Sequence, residues 1–349
     1  MRALVLRDYY DIAVEERPDP QPGPGEVVVE VIATGICGSD FHGFSGENGR
    51  RYPGQIMGHE TVGRIDELGS GVTGLAPGQL VTVNPVMGCN DCPACASGQQ
   101  QWCSRKVVLG VAPEISAAFA DRVTVPAANI VSLPEEMPAE LGALVEPLAV
   151  GYHAIRRGEA TADERVLVIG GGPIGQACLL AARRLGVDNL GLSDVSPSRR
   201  ELCAGLGAQV IDPSAGDMAG AVAAMLGGPA TLVVDAVGVT RTVADALAAS
   251  ALGARIVLVG MGSPQLDVSA YALSTAERSL IGSFTYSPAE FAETAAWVST
   301  VPDGIASLID GRVGWEGAPQ SFDDLARGRS TASKILVFPK GPPPEAEQA

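Results

Sequence analysis

The sequence is short of positive charge. Lysine and arginine number 24 against 40 aspartates and glutamates, a formal net charge of −16 with a pI near 4.6. A surface of that sign repels phosphate backbones and anionic lipid, which excludes nucleic acid and membrane surfaces as partners. Long apolar runs are also missing: no stretch approaches the ~20 residues that a bilayer span requires. The opening Met1-Arg2-Ala3-Leu4-Val5-Leu6-Arg7-Asp8 carries charge too early for a secretory signal, so a cytoplasmic location is expected. Aromatic residues make up only 5% and histidines number three, so each histidine carries information. Apolar residues at 46% argue against wholesale disorder. A length of 349 residues fits about two domains of roughly 150 each. In excess is glycine, 43 residues, a mark of tight turns and close backbone approaches.

The seven cysteines are an odd number, and four of them (Cys89, Cys92, Cys95 and Cys103) follow the spacing C-x2-C-x2-C-x7-C. Cysteines three residues apart rarely reach disulfide geometry, and a reducing compartment would disfavour bridging. Four thiolates at this spacing suit a tetrahedral Zn²⁺ with a closed shell, hence a structural ion. The surrounding residues 88–104 hold too few large apolar side chains to fold by burial, and metal binding would supply the missing free energy. An iron–sulfur cluster is the alternative. Cys178 and Cys203 fall in helical apolar patterns and read as core thiols.

The first ~145 residues carry short valine-rich runs, such as 26–32, 61–65 and 80–83, separated by proline and glycine turns. They predict a small barrel or a partly open sheet. After Pro147 the pattern changes. The apolar run Arg165-Val166-Leu167-Val168-Ile169 leads into Gly170-Gly171-Gly172-Pro173-Ile174-Gly175 and then a helical stripe at Ile174, Ala177, Cys178, Ala181 and Leu185. Further strands at 189–193, 231–234 and 255–259 alternate with alanine-rich helices, which predicts a doubly wound parallel sheet. The run Lys334-Ile335-Leu336-Val337-Phe338 reads as a strand returning to another sheet, and the tail Gly341-Pro342-Pro343-Pro344-Glu345 as frayed.

Gly170-x-Gly172-x-x-Gly175 sits between a strand and a helix, with Asp194 19 residues beyond the third glycine. In that setting it predicts dinucleotide binding: glycines admit the pyrophosphate to the backbone, and the helix N-terminus offers unpaired N–H groups. Pro173 is tolerated in the first turn because its missing N–H would be unpaired anyway. The Asp194 carboxylate would accept the ribose hydroxyls and repel a 2′-phosphate, favouring NAD over NADP. Arg199 and Arg200 read either as a solvated helix face or as phosphate partners. Val237 and the pair Val259-Gly260, after later strands, are expected to flank the nicotinamide.

Cys37, Ser39, Asp40 and His42 fall within six residues, and Gly58-His59-Glu60 follow. Glu146 is an acid inside the apolar Leu141-Gly142-Ala143-Leu144-Val145, where an unpaired buried carboxylate would cost several kcal/mol. These motifs, the four-cysteine cluster, Glu146-Pro147-Leu148 and the glycine loop occur in the order seen in zinc-dependent medium-chain alcohol dehydrogenases. The sequence resembles their sorbitol, or polyol, dehydrogenase branch over almost its whole length.

The resemblance implies a GroES-like β-rich catalytic domain, residues 1–147 and 284–349, with a Rossmann NAD-binding domain inserted at 148–283. It implies two zinc ions per chain: a structural one on the four cysteines, and a catalytic one on Cys37, His59 and Glu146. Glu60 would be a nearby carboxylate able to approach the metal, and Asp40 would orient His59 through its other ring nitrogen. Ser39 would take the alcohol proton and pass it through the cofactor ribose to His42. The implied reaction is oxidation of a secondary alcohol of a polyol or sugar derivative, with hydride transfer to NAD. Threonine or a vicinal diol is the alternative substrate, and a catalytically silent redox sensor the remote one. Phe41, Phe119 and Tyr286 are expected to line the pocket. Thr285 stands where polyol-type relatives often carry arginine, which speaks against sorbitol itself. The implied assembly is a homotetramer, with a dimer as the alternative.

Overall fold

The computed structural model describes residues 1–47 and 49–344; the end of the tail, from Glu345, lies outside the described residues. The chain forms two compact units. One comprises Met1–Glu146 with the chain from Ser287 onward, and the other Pro147–Tyr286.

The first unit is built on a seven-stranded sheet. Its order is Gly311–Val313, Ile335–Val337, Glu26–Gly35, Glu60–Leu68, Leu80–Val83 and Ile130–Ser132, with Arg122–Pro126 also paired to Glu26–Gly35. Valines at alternate positions of Glu26–Gly35 face a core of Val27, Val29, Val31, Ile65 and Val81, the period-two pattern of a strand with one buried face. The register places the candidate site. Gly35 pairs with Glu60 in antiparallel fashion, so Cys37, just past the end of one strand, and His59, just before the start of the next, emerge at the same edge. Leu336 pairs with the same Gly35, which brings Lys334 to that edge from the far end of the chain.

The second unit holds a six-stranded, wholly parallel sheet. Its order is Gln209–Ile211, Leu190–Ser193, Val166–Ile169, Ala230–Asp235, Ser250–Leu258 and Ser279–Gly282. Helices follow most strands, and the central strand Val166–Ile169 is buried throughout, as its unbroken apolar sequence requires. Strand order reverses beside Val166–Ile169, and the glycine loop leaves that strand's carboxyl end, where open α/β sheets bind ligands. Cys178 and Cys203 are wholly buried, and burial pushes both thiols up to about 12. Among the described residues no helix is long and apolar enough to cross a membrane.

Candidate functional site

Cys37 caps the short helix Gly38–Phe44 from an extended conformation, half-buried. Asp40, three residues on, is fully buried and turns back: its Oδ2 accepts the Cys37 N–H at 3.1 Å. Its Oδ1 faces His59 Nδ1 at 3.6 Å and Arg51 Nη2 at 3.5 Å. Cys37, His59 and Glu60 place ligand atoms within 4.8 Å of one another. Burial disfavours a charge on His59, but Asp40, then Cys37 and Glu146, more than offset it, and the imidazole is pushed up to about 10. The second acid of this region, Glu60, is held by Lys334, whose Nζ donates to both carboxylate oxygens at 2.6 and 2.5 Å and to the Ile36 carbonyl at 3.3 Å. Burial opposes the Lys334 charge, yet Glu60, Cys37 and Glu146 hold it above the ordinary lysine value.

Glu146 is buried at the start of the helix Val145–Arg157. It acts electrostatically on His59 and Lys334, but it is not one of the three residues whose ligand atoms meet. A thiol and several acids crowded around one buried imidazole and one ammonium form a donor set that fits a divalent cation.

Around this cluster, the Ser39 Oγ accepts from Arg51 Nη2 at 3.3 Å. His42 is exposed, with Nδ1 3.0 Å from Glu47 Oε2, and its ring lies 4.5 Å from that of Phe41. Phe119 does not line a pocket. It is wholly buried and packs edge-on against Phe322 at 5.4 Å within an apolar cluster that includes Leu4 and Met57. Tyr286 likewise has no exposed surface, so neither ring offers a face to a substrate. Thr285 has a left-handed backbone, φ 53°, rare for a β-branched residue.

Two residues near the candidate metal set escaped the sequence reading, Arg51 and Lys334. Each left a faint signal: Lys334 is a cation opening an otherwise apolar strand, and Arg51 lies eight residues before His59 in a glycine- and proline-rich loop.

The four-cysteine lobe is built on turns. Cys92 caps the four-residue helix Pro93–Ala96, and Asn90 has a left-handed backbone. All four thiols are free, and the Sγ atoms lie within 4.8 Å of one another, with Cys89 and Cys95 3.9 Å apart. A tetrahedron with Zn–S arms of ~2.3 Å has edges of about 3.8 Å, so the spacing fits that ion and excludes a bridge. Backbone N–H groups of Cys89 and Arg105 pull Cys103 down to about 6, while Asp91 pushes Cys89 up to about 12. Arg105 reaches both Asp91 and the Cys89 sulfur, the latter at 3.2 Å.

In the second unit, Gly170 has φ 97° and Gly172 caps the helix Pro173–Arg184. A Cβ on Gly175 would lie 1.8 Å from the Gly170 carbonyl oxygen, whereas one on Gly172 would meet nothing within 4 Å. The third glycine therefore serves helix–strand packing, and the second leaves the loop open to a ligand. Ile174 follows in the first turn, partly buried against the core. Asp194 ends the neighbouring strand's loop, with Oδ2 accepting Gly171 N–H at 2.6 Å and Oδ1 accepting Ser196 N–H at 2.7 Å. Arg199 Nη1 is 3.9 Å from Asp194, and Arg200 donates to the Asp194 carbonyl.

Val237, Val259 and Gly260 come together around Asp235. Its Oδ1 accepts the N–H groups of Val237 and Gly238 at 2.9 Å each, and its carbonyl accepts those of Val259 and Gly260. An anion-receptive helix N-terminus beside an acid fits a dinucleotide.

Residues 23–135 match the family described as "Alcohol dehydrogenase GroES-like domain", and residues 173–300 that described as "Zinc-binding dehydrogenase". The chain is 33% identical over 343 residues to L-galactonate-5-dehydrogenase of Escherichia coli K12, covering 97% of this chain and 99% of that one. It is 31% identical over 336 residues to sorbitol dehydrogenase of Macaca fascicularis, covering 93% of each. The crystal structure of galactitol-1-phosphate dehydrogenase from Escherichia coli superposes with a TM-score of 0.89 at 29% identity, covering 97% of this chain and 100% of that one.

Proposed function

The chain belongs to the zinc-dependent medium-chain alcohol dehydrogenases, and from that premise we propose that it oxidises a secondary alcohol of a polyol or sugar derivative to the ketone, with NAD as hydride acceptor. One observation carries the reading: Cys37 and His59 converge with buried acids at one edge of the first unit, in a chain whose second unit bears an open glycine loop beside Asp194. The relatives named above act on chains bearing several hydroxyls, a common chemistry that supports the substrate class.

In this reading Cys37, His59 and Glu146 would hold a catalytic zinc, which when bound would supply Lewis acidity to the substrate hydroxyl. Glu146 is preferred to Glu60 as the third ligand because both Glu60 oxygens are engaged by Lys334. Asp40 steadies the site from below, bonded to the Cys37 backbone and facing His59 Nδ1. The Ser39 hydroxyl takes the substrate proton at Oγ. The exposed His42, beside Glu47, delivers it to solvent. Cys89, Cys92, Cys95 and Cys103 would hold a second, structural zinc with all four ligand positions supplied by thiolates. Asp194 selects NAD over NADP by repelling a 2′-phosphate.

The test is a panel of alditols, sugar acids, vicinal diols and threonine followed by NADH absorbance, with zinc counted per chain. Turnover greatest on an alditol or sugar acid is expected. Greater turnover on threonine or a simple diol overturns the substrate class, and zinc-independent turnover overturns the mechanism. A homotetramer is the proposed assembly; light scattering checks it, and a dimeric mass overturns it.

A further inference from the structure

We propose that Arg51 is a positioning residue for alcohol oxidation: its buried guanidinium fixes the Ser39 hydroxyl in the orientation that receives the substrate proton. The inference rests on the dehydrogenase reading above and deepens it.

Arginine is almost never fully buried unless its charge has work or a partner. Arg51 is 1% exposed and is among the largest wholly buried side chains. Its path is built into the neighbouring helix. A Cβ on Gly43 would lie 2.1 Å from Arg51 Cγ, so the helix Gly38–Phe44 is bare where the arginine stem crosses it. The Arg51 carbonyl accepts the Tyr9 hydroxyl at 3.3 Å, and Nη1 donates to the Arg50 carbonyl at 3.2 Å. Nε is buried and has no hydrogen-bond partner among the described residues, whereas Nη2, with two hydrogens, lies between two acceptors: Ser39 Oγ at 3.3 Å and Asp40 Oδ1 at 3.5 Å.

The geometry matches what a relay hydroxyl needs. A serine hydroxyl offers one proton and two lone pairs. A guanidinium hydrogen directed at Oγ restrains how the hydroxyl turns. A proton arriving at Oγ from the substrate is matched by the serine's own proton leaving along the outward path, so one proton enters and one departs. A planar guanidinium restrains the rotamer better than a mobile ammonium could. The same Nη2 touches Asp40, which faces His59. The competing account is therefore that Arg51 merely balances the Asp40 charge and keeps the metal ligands in place.

A double-mutant cycle on the zinc- and NAD-loaded enzyme separates the two. Arg51→Met, Ser39→Ala and the double variant are assayed for kcat and KM on the best alcohol of the panel, with zinc content and Tm measured on each. If Arg51 acts through Ser39, Arg51→Met lowers kcat by roughly 10- to 100-fold, the range for a charge-assisted hydrogen bond, with KM little changed. Zinc content stays at the wild-type value, and the double variant is no slower than Ser39→Ala alone. Arg51→Lys regains part of the rate and serves in the cycle should Arg51→Met fail to fold. Multiplicative losses, zinc lost from the Arg51 variants, or an unchanged kcat in either Arg51→Met or Ser39→Ala overturns the proposal. A wild-type protein inactive on every alcohol refutes the dehydrogenase reading itself, and the Arg51 role with it.

Discussion

Lys334 and Glu60 lie 274 residues apart in sequence, yet the Lys334 ammonium contacts both Glu60 carboxylate oxygens, at 2.5 and 2.6 Å. Both side chains are almost inaccessible to solvent. Breaking a buried pair by removing one partner leaves an uncompensated charge and typically costs about 3–5 kcal/mol. Lys334→Met should therefore lower the unfolding free energy by about that amount. Lys334→Met combined with Glu60→Gln should recover most of the loss. Urea titration checks both, and an undiminished Lys334→Met would show the pair to be energetically idle.

The zinc assignments separate by variant. Cys37→Ser, His59→Ala and Glu146→Gln should each lose one of the two proposed zinc ions and essentially all turnover while retaining NAD binding. Cys92→Ser should lose the other ion and unfold at lower temperature, because the lobe has little apolar surface to hold it together. Glu60→Gln should keep both ions. Elemental analysis of the purified variants decides, and full zinc retention by Glu146→Gln would shift the third ligand to Glu60.

Asp194→Ala should erode the proposed preference for NAD over NADP by about tenfold or more, the scale of a charge-assisted hydrogen bond. It also strips the acceptor from the Gly171 and Ser196 N–H groups, so a weaker fit to both cofactors is expected. The ratio of kcat/KM for the two nucleotides is the measurement. An unchanged ratio would assign discrimination to other residues.

Asp235 organises the turn that carries Val237 and Gly238. Burial raises its carboxyl above the usual value despite hydrogen bonds from Gly238, Thr242 and Val237 that pull it down. A raised folded value means that the native state holds this proton more tightly than the unfolded chain does. The associated stability is therefore present below the ordinary carboxylate range and lost as pH rises through the raised value. Asp235→Asn should abolish that part of the pH dependence. Asp235→Ala should cost about 1–3 kcal/mol by leaving its donors unpaired, and should weaken NADH binding measured by fluorescence.

Local chemistry alone made much of this protein legible. The four cysteines, the glycine loop after an apolar strand, and Asp194 beyond it stand out within short windows, and the structure brings the four Sγ atoms within 4.8 Å of one another and Asp194 onto Gly171, because turn geometry acts over a few residues. The alternation of apolar strands and helices likewise declares the parallel sheet. Tertiary structure decided what lies between distant segments. Nothing local told Phe119 apart from a pocket residue; only its contact with Phe322, 203 positions on, made it core. Which acid is neutralised by an ammonium follows from strand register, Gly35 opposite Glu60 on one side and Leu336 on the other. Register is set by the summed packing of whole strand faces, and no short stretch of sequence carries that sum.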